Sequence, residues 1–141
     1  METIKFILID DNEAYRCALQ SMLNSKFNAL IIAEASNADE AKQLENLHQA
    51  DIILMDVMMP GQNGIELTKK LLWYYNKLKV IAITMDVEKV YLTTLIEAGF
   101  KGCIFKNDLA NNIDEAVNIV MNGKLFFPRD IILDFNKDTN L

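Results

Sequence analysis

The sequence lacks long apolar runs and has few residues of the kinds that build metal–thiolate or disulfide sites. No stretch of its 141 residues approaches the roughly 20 apolar residues that a membrane-spanning helix requires. The two cysteines, Cys17 and Cys103, show no CxxC spacing, and the single histidine, His48, has no second histidine near it. These absences argue against a membrane segment, a zinc site and a disulfide framework, and they predict reduced cysteines.

Clustered basic residues and a leader peptide are also lacking. The net charge is -6, with 14 Lys and Arg against 20 Asp and Glu. Because contacts with nucleic-acid phosphates need clustered Lys and Arg, we expect no direct nucleic-acid binding by this chain. The first residues, METIKFILIDDNE, have no basic region and no small-residue cleavage site, so they do not resemble a signal peptide. We therefore expect a cytoplasmic protein.

Short apolar runs alternate with amphipathic stretches along the chain. The runs that predict strands are IKFILI (4–9), ALIIAE (29–34), DIILMD (51–56), KVIAIT (79–84) and GCIF (102–105). Helical periodicity lies between and after them, over 12–25, from Ala38 to Leu47, from Ile65 to Tyr75, from Val87 to Ala98 and from Leu109 to Val120.

Alternating strands and helices predict one α/β domain over residues 1–123. Strands that are apolar on both faces indicate a parallel sheet covered on both sides, that is, a doubly wound, flavodoxin-like (βα)5 fold with strand order 2-1-3-4-5. Residues 124–141, KLFFPRDIILDFNKDTNL, do not continue the pattern. They are predicted to be an extension that packs back on the domain, or the stump of a linker.

Polar residues follow four of the predicted strands. Asp10 and Asp11 end the first, Asp56 the third and Thr84 the fourth, and Lys106 follows the fifth. The carboxyl ends of parallel strands form the site in open α/β sheets, so these side chains should share one cleft. Three carboxylates repel one another unless a cation joins them, and oxygen-only ligands favour Mg²⁺. An aspartate there can itself act as a nucleophile toward a phosphoryl group.

These motifs resemble those of a bacterial two-component response-regulator receiver domain. The resemblance rests on the Asp10-Asp11 pair, DVMMPGQNGIEL (56–67), Thr84 and GFKGCIFK (99–106), and it covers roughly residues 3–123. It implies a signalling switch, not an enzyme with its own substrate.

The resemblance also implies roles for the residues at the strand ends. Asp56 would accept a phosphoryl group from a histidine kinase or a phosphotransfer protein. Lys106 would pair with a phosphoryl oxygen, and the Thr84 hydroxyl would move toward the phosphoryl group. The ligands implied for Mg²⁺ are Asp10, Asp11, Asp56 and the backbone carbonyl of Met58.

One position departs from the family's pattern. Members usually carry Tyr or Phe three residues before the lysine, and this chain has Cys103. Cys103 is either a small apolar residue filling the strand, or a sign that Thr84 moves without an aromatic partner. We expect altered coupling and not loss of phosphorylation.

The resemblance further suggests an output. Residues 99–128 look most like receivers that precede a LuxR-type helix-turn-helix, which predicts a transcription regulator whose DNA-binding domain is absent from this chain. Phosphorylation could also produce a homodimer. The alternative is a stand-alone or atypical receiver that acts through protein–protein interaction.

Other readings of the acidic cleft fit the residues less well. A phosphatase of the haloacid-dehalogenase type needs a second acid two residues after its nucleophile, where this chain has Met58. A flavodoxin-like cofactor carrier needs a Ser/Thr/Gly-rich phosphate loop, where this chain has DDNEAY. The intact acids argue against a pseudo-receiver, although Cys103 keeps that possibility open.

Overall fold

A five-stranded parallel sheet forms the centre of the protein. The computed structural model describes residues 2–59, 61, 63–85 and 89–128, and of residues 89 and 90 only the backbone. The strands are Ile4–Ile9 (β1), Ala29–Ala35 (β2), Ile52–Asp56 (β3), Val80–Thr84 (β4) and Gly102–Phe105 (β5). Their order is β2-β1-β3-β4-β5 and neighbouring strands pair in parallel, which confirms the predicted doubly wound sheet.

In the described part of the chain, five helices connect or follow the strands. They are Glu13–Lys26 (α1), Ala38–Lys42 (α2), Gly64–Tyr74 (α3), Lys89–Ala98 (α4) and Leu109–Met121 (α5), with 3-10 turns at Leu47–Gln49 and Lys106–Asp108. The side chains of Asn12, Asn37 and Asn63 each accept a hydrogen bond from the backbone N–H three residues ahead, at 2.8–3.0 Å. These N-caps satisfy N–H groups that have no partner within the helix, so α1, α2 and α3 each begin at a defined residue.

Each face of the sheet packs against its own set of helices. Alternate residues of β1 and β3 belong to different core clusters, because successive strand side chains point to opposite faces. One cluster joins Ile7, Ile9, Ile53 and Met55 to side chains from α2, α3 and α4. The other cluster joins Phe6, Leu8, Ile52 and Leu54 to Leu19, Leu23, Ile113 and Val117 of α1 and α5. Both faces of the central strands are therefore buried.

The helix predicted from Ala38 to Leu47 is wrong in its second half. Helix α2 ends at Lys42, and Leu47 lies in the 3-10 turn that follows. The backbone N–H groups of Gln43 and Leu44 donate to carbonyls three residues back, which tightens the last turn. The Asn46 side chain then donates to the carbonyl of Ile32 on β2 at 3.1 Å. Leu47 is buried all the same.

The described part of the predicted extension lies against β5. Phe126 forms a parallel bridge with Gly102, donating to the carbonyl of Lys101 and accepting from the N–H of Cys103, both at 2.9 Å. Phe127 is buried in a core cluster. Residues 129–141, and the predicted helix start at Val87, lie outside the described residues.

The search for membrane spans found no helix, in the part of the chain that the structure describes, with the length and apolar character to cross a bilayer.

Gly64 holds the first turn of α3 against the end of β3. A Cβ at this position would lie 2.5 Å from the backbone oxygen of Asp56 and 3.0 Å from the Cα of Val57. Since both atoms belong to the backbone, they cannot turn aside as a flexible side chain could. The N–H of Gly64 also donates to the carbonyl of Val57 at 3.0 Å, so the loop between β3 and α3 closes tightly on itself.

We expect Gly64→Ala to lower the free energy of unfolding by about 1–3 kcal/mol, because the added methyl group forces the backbone apart. Urea denaturation measures the change. Lys70→Ala, an exposed substitution in the same helix, is the control and should change stability by about 0.5 kcal/mol or less. Equal unfolding midpoints for Gly64→Ala and the wild type would contradict this packing.

Candidate functional site

The polar residues predicted from the strand ends meet at one edge of the sheet. Asp10 and Asp11 follow β1, and Asp56 ends β3, which pairs directly with β1. One carboxylate oxygen from each of these residues lies within 4.8 Å of the other two. Asp10 and Asp56 are buried and Asp11 is exposed, so the acidic cluster is open to solvent on the side of Asp11. The predicted convergence of the three carboxylates is confirmed.

Lys106 lies across from the two buried carboxylates. Its Nζ is 3.3 Å from Oδ2 of Asp10 and 3.7 Å from Oδ2 of Asp56, and its side chain is 17% exposed. The residue begins the 3-10 turn after β5, two strands away from β3. The predicted position of this ammonium is also confirmed.

Backbone groups hold the two buried carboxylates in place. Oδ1 of Asp10 accepts from the N–H of Asn12 at 2.8 Å, and Oδ1 of Asp56 accepts from the N–H of Met58 at 3.0 Å. Both bonds run to an N–H two residues ahead, the geometry of an Asx turn. In each residue Oδ1 is therefore tied to the loop, and Oδ2 faces Lys106.

Arg16 supports the loop after β1 from outside the carboxylate cluster. Its guanidinium donates to the backbone carbonyl of Asp10 and pairs with Glu34 on β2 at 3.1 Å. Sequence reasoning did not single out Arg16, because its partners come from β1 and β2 and no motif joins them.

Burial and like charge make it hard to ionise Asp56. Burial is the main cause that raises its pKa, and repulsion from Asp10 and, more weakly, from Asp11 adds to it. The N–H of Met58 and the ammonium of Lys106 act in the opposite direction, and the net result is a pKa of about 6. The carboxylate therefore gains from any further cation that enters the cluster.

Thr84 lies at the end of β4 with a hydroxyl group that is available for a new acceptor. The residue is 1% exposed, and its Oγ1 has no hydrogen-bond partner among the described residues. A buried hydroxyl without a partner costs free energy, so Thr84 would be stabilised by an acceptor reaching the site.

Two further side chains surround this region. Cys103 is 1% exposed, and burial raises the pKa of its thiol to about 12, so it is an unreactive core residue. Tyr91 of α4 places its hydroxyl 3.9 Å from the sulfur of Met58, an exposed residue beside Asp56. Burial is the main cause that raises the pKa of Tyr91, and the negative charge of Asp56 adds to it. Tyr91 falls within the helix predicted from Val87 to Ala98, and the periodicity alone gave no sign that it would lie near this site.

The residues present fit a hard divalent cation. The donors are carboxylate oxygens without His or Cys, which suits Mg²⁺ better than transition metals. Three carboxylates face one ammonium, so two negative charges remain uncompensated when all are ionised. Burial and then repulsion from Asp10 raise the pKa of Asp56, so added positive charge would favour its ionised form.

A comparison with protein-family models identifies residues 6–118 as a response regulator receiver domain. The chain belongs to this family. The sheet order and the strand-end aspartates agree with the resemblance seen in the sequence, and receiver domains act as signalling switches in response regulators.

Several curated relatives of this chain are named as transcriptional regulatory proteins. The chain is 29% identical over 120 residues to the transcriptional regulatory protein DegU of Brevibacillus brevis, an alignment that covers 85% of this chain and 51% of DegU. It is 35% identical over 123 residues to the transcriptional regulatory protein LiaR of Bacillus subtilis, which covers 86% of this chain and 57% of LiaR. The chain thus spans about half to three fifths of the length of these relatives.

Solved structures share the fold. A two-component response regulator of the LuxR family from Aurantimonas sp. SI85-9A1 superposes with a TM-score of 0.87 at 24% identity. The superposition covers 99% of this receiver domain and 100% of that chain.

The raised pKa of Asp56 predicts how stability depends on pH in metal-free buffer. In the folded chain the pKa of Asp56 is about 6, whereas the unperturbed value is 3.8. Between these two pH values the folded chain therefore binds more protons than the unfolded chain. The contribution of Asp56 to the free energy of unfolding therefore falls as the pH rises from about 4 to 6. We expect Asp56→Asn to stabilise the protein at pH 7.5 by about 1–3 kcal/mol and to lose most of that advantage near pH 4.

Urea denaturation in EDTA at the two pH values tests this expectation. Glu97→Gln, which removes an exposed carboxylate outside the cluster, is the control and should have little effect at either pH. An Asp56→Asn protein that is no more stable than the wild type at pH 7.5 would contradict the proposed strain between the carboxylates.

Proposed function

We propose that this receiver domain accepts a phosphoryl group on Asp56 from the phosphohistidine of a histidine kinase or a phosphotransfer protein. The observation that carries the proposal is the meeting of three carboxylates and one ammonium at the carboxyl edge of the sheet. In this arrangement a carboxylate oxygen is available as a nucleophile, and positive charge is in place for the group being transferred.

Asp56 would act as the nucleophile through the oxygen that faces the cleft. Oδ1 is held by the N–H of Met58, which leaves Oδ2 directed toward Lys106. Attack by Oδ2 on phosphorus forms a P–O bond, the P–N bond of phosphohistidine breaks, and the electron pair leaves with the imidazole. The product is an aspartyl phosphate on Asp56. Above its pKa of about 6 the carboxylate is mostly ionised and ready to attack.

The metal ligands of the proposal are Asp10, Asp11, Asp56 and the backbone carbonyl of Met58. Mg²⁺ bound there would supply positive charge to the acidic cluster and to the phosphoryl oxygens. Asp10 would contribute a buried carboxylate oxygen, and Asp11 an exposed one on the open side of the cleft, where a donor molecule would enter.

Lys106 and Thr84 would receive the phosphoryl group. Lys106 already lies within 3.7 Å of Oδ2 of Asp56, so its ammonium is close to where a phosphoryl oxygen would be. The buried Thr84 hydroxyl, for which the described residues offer no partner, would donate to another phosphoryl oxygen. This gain of a hydrogen bond would link phosphorylation to the end of β4.

The signal would be a shift between two conformations of the fourth and fifth βα units. A phosphoryl group adds about -1.5 to -2 charges at neutral pH, enough to reorganise neighbouring loops. Cys103 is buried beside these units and is too small to exchange between inward and outward positions as an aromatic ring does. We therefore infer that Thr84 transmits the change without an aromatic ring at position 103.

We expect Mg²⁺ and acetyl phosphate to increase the intact mass by that of one phosphoryl group, because Asp56 is the single acceptor. Asp56→Asn should abolish the increase, and EDTA should prevent it in the wild type. Glu97→Gln serves as the control and should label as the wild type does. If Asp56→Asn labels equally well, the assignment of the acceptor is wrong.

We further propose that the output is control of transcription through a C-terminal DNA-binding domain of the LuxR helix-turn-helix type, assisted by a phosphorylation-dependent homodimer. The support is the similarity to DegU and LiaR, both named as transcriptional regulatory proteins and both longer than this chain. Residues 1–123 would be the receiver unit, and the segment from residue 124 would lead toward the output. A stand-alone receiver acting by protein–protein contact is the alternative.

The acidic chain alone should not retard DNA in a gel-shift assay at physiological salt, with or without phosphorylation, because it has no basic cluster for phosphate contacts. Coding sequence for a helix-turn-helix beyond Leu141 in the native gene would support the transcription proposal. Specific retardation of a promoter fragment by this chain alone would contradict the assignment of DNA binding to a separate domain.

A further inference from the structure

An aromatic ring lies under the ammonium group of the acidic cleft. Nζ of Lys106 is 4.3 Å from the ring centroid of Tyr15, within the range in which a cation is attracted to the face of an aromatic ring. Tyr15 is in the first turn of α1, and its backbone N–H is fixed by the N-cap Asn12 at 3.0 Å. The ring therefore occupies a defined place beside the residues that follow β1.

We propose that Tyr15 is a positioning residue, whose ring holds the Lys106 ammonium in the gap between Asp10 and Asp56. The consequence for phosphoryl transfer rests on the function proposed above, whereas the contact itself does not. A lysine ammonium on a four-carbon stem has many orientations, so one that must meet an incoming group gains from a second point of attraction.

The distances in the cleft support this role. Lys106 lies 3.3 and 3.7 Å from its two carboxylate partners, which is longer than the roughly 2.7–2.9 Å of a close charge-assisted hydrogen bond. The ammonium is thus shared between two carboxylates and a ring, and bound tightly by none of them. Without the ring, it would be free to close on the carboxylates, where it would compete with a metal ion and an incoming phosphoryl group.

The tyrosine hydroxyl is not needed for this contact. Its Oη is buried and has no hydrogen-bond partner among the described residues. Burial, with a smaller contribution from the charges of Asp10 and Asp56, raises the pKa of Tyr15 to about 12, so the ring stays neutral. Since the ring face and not the hydroxyl attracts the cation, Phe should replace Tyr15 and Leu should not.

A structural role for Tyr15 can be separated from the positioning role. The ring also packs against the core cluster that contains Phe6 and Leu8. Tyr15→Leu keeps an apolar side chain at this place, whereas Tyr15→Phe keeps the ring as well. The two variants form a matched pair, and urea denaturation of both establishes that they fold.

The first measurement detects the contact in metal-free, unphosphorylated protein by NMR. Protons of the Lys106 side chain next to Nζ should show an upfield ring-current shift in the wild type and in Tyr15→Phe, and the shift should be lost in Tyr15→Leu. The signal is assigned by its disappearance in Lys106→Gln. An unshifted Lys106 signal in the wild type would overturn the proposal.

The second measurement is the initial rate of labelling by acetyl phosphate at saturating Mg²⁺. Because Tyr15→Leu loses the cation–π contact, its initial rate of labelling should be about three- to thirty-fold slower than that of the wild type. The rate of Tyr15→Phe should be close to that of the wild type. In a Lys106→Gln background the Tyr15→Leu substitution should have no further effect, since the two residues act together.

The outcomes separate this inference from the function on which it rests. A wild-type protein that does not label contradicts the proposed function, and the NMR measurement then decides the contact alone. A wild type that labels while Tyr15→Leu is as fast as Tyr15→Phe overturns the positioning role. Equal slowing of both variants also overturns it, because the hydroxyl and not the ring would then be responsible.

Discussion

Crowding of negative charge at one edge of the sheet is the constraint on which the rest of the site depends. Asp10 and Asp56 are buried on adjacent strands with Asp11 beside them, and one ammonium faces all this charge. Such a cluster is unfavourable by itself, because burial and then the charge of Asp10 both raise the pKa of Asp56. The surrounding features reduce the cost: N–H groups fix one oxygen of each buried carboxylate, Lys106 faces the other, and both faces of the sheet hold the strands in register. In the function proposed above, this local loss of stability would be recovered when a cation enters the cleft.

The same constraint explains why the parts of the site come from distant segments. The parallel order puts β1 and β3 side by side, and the turn after β5 brings Lys106 back over both. Asp10 and Asp11 come from the end of β1, Asp56 from the end of β3 and Lys106 from the turn after β5. A change in the backbone at any of these strand ends would therefore displace residues of the site. Gly64 is an example, because it packs tightly against the backbone of Asp56.

The strands and the acids of the site could be predicted from the sequence because both follow from simple periodicity. A short apolar run that ends in an acid marks a buried strand and its carboxyl end at once, which located Asp10, Asp11 and Asp56 before any coordinates. Contacts between side chains of different elements were not predictable in this way. Tyr15 and Tyr91 lie on helical faces that the pattern marks only as apolar, and which ring faces Lys106 depends on rotamers and on the angle at which α1 meets the sheet. The end of α2 was missed for a related reason, since Leu47 satisfies a helical spacing although it packs from a 3-10 turn.

The bridge between Phe126 and Gly102 lies at β5, an edge strand of the sheet. A strand at the border of a sheet leaves a row of backbone groups free to pair with another chain. Here Phe126 already pairs with the N–H of Cys103 and the carbonyl of Lys101, so part of the edge of the sheet at β5 is covered by the chain itself. A force on the residues beyond α5 would act first on the bridge between Phe126 and Gly102. The path of the backbone after the last helix is thus mechanically joined to the acidic cleft through a single short strand.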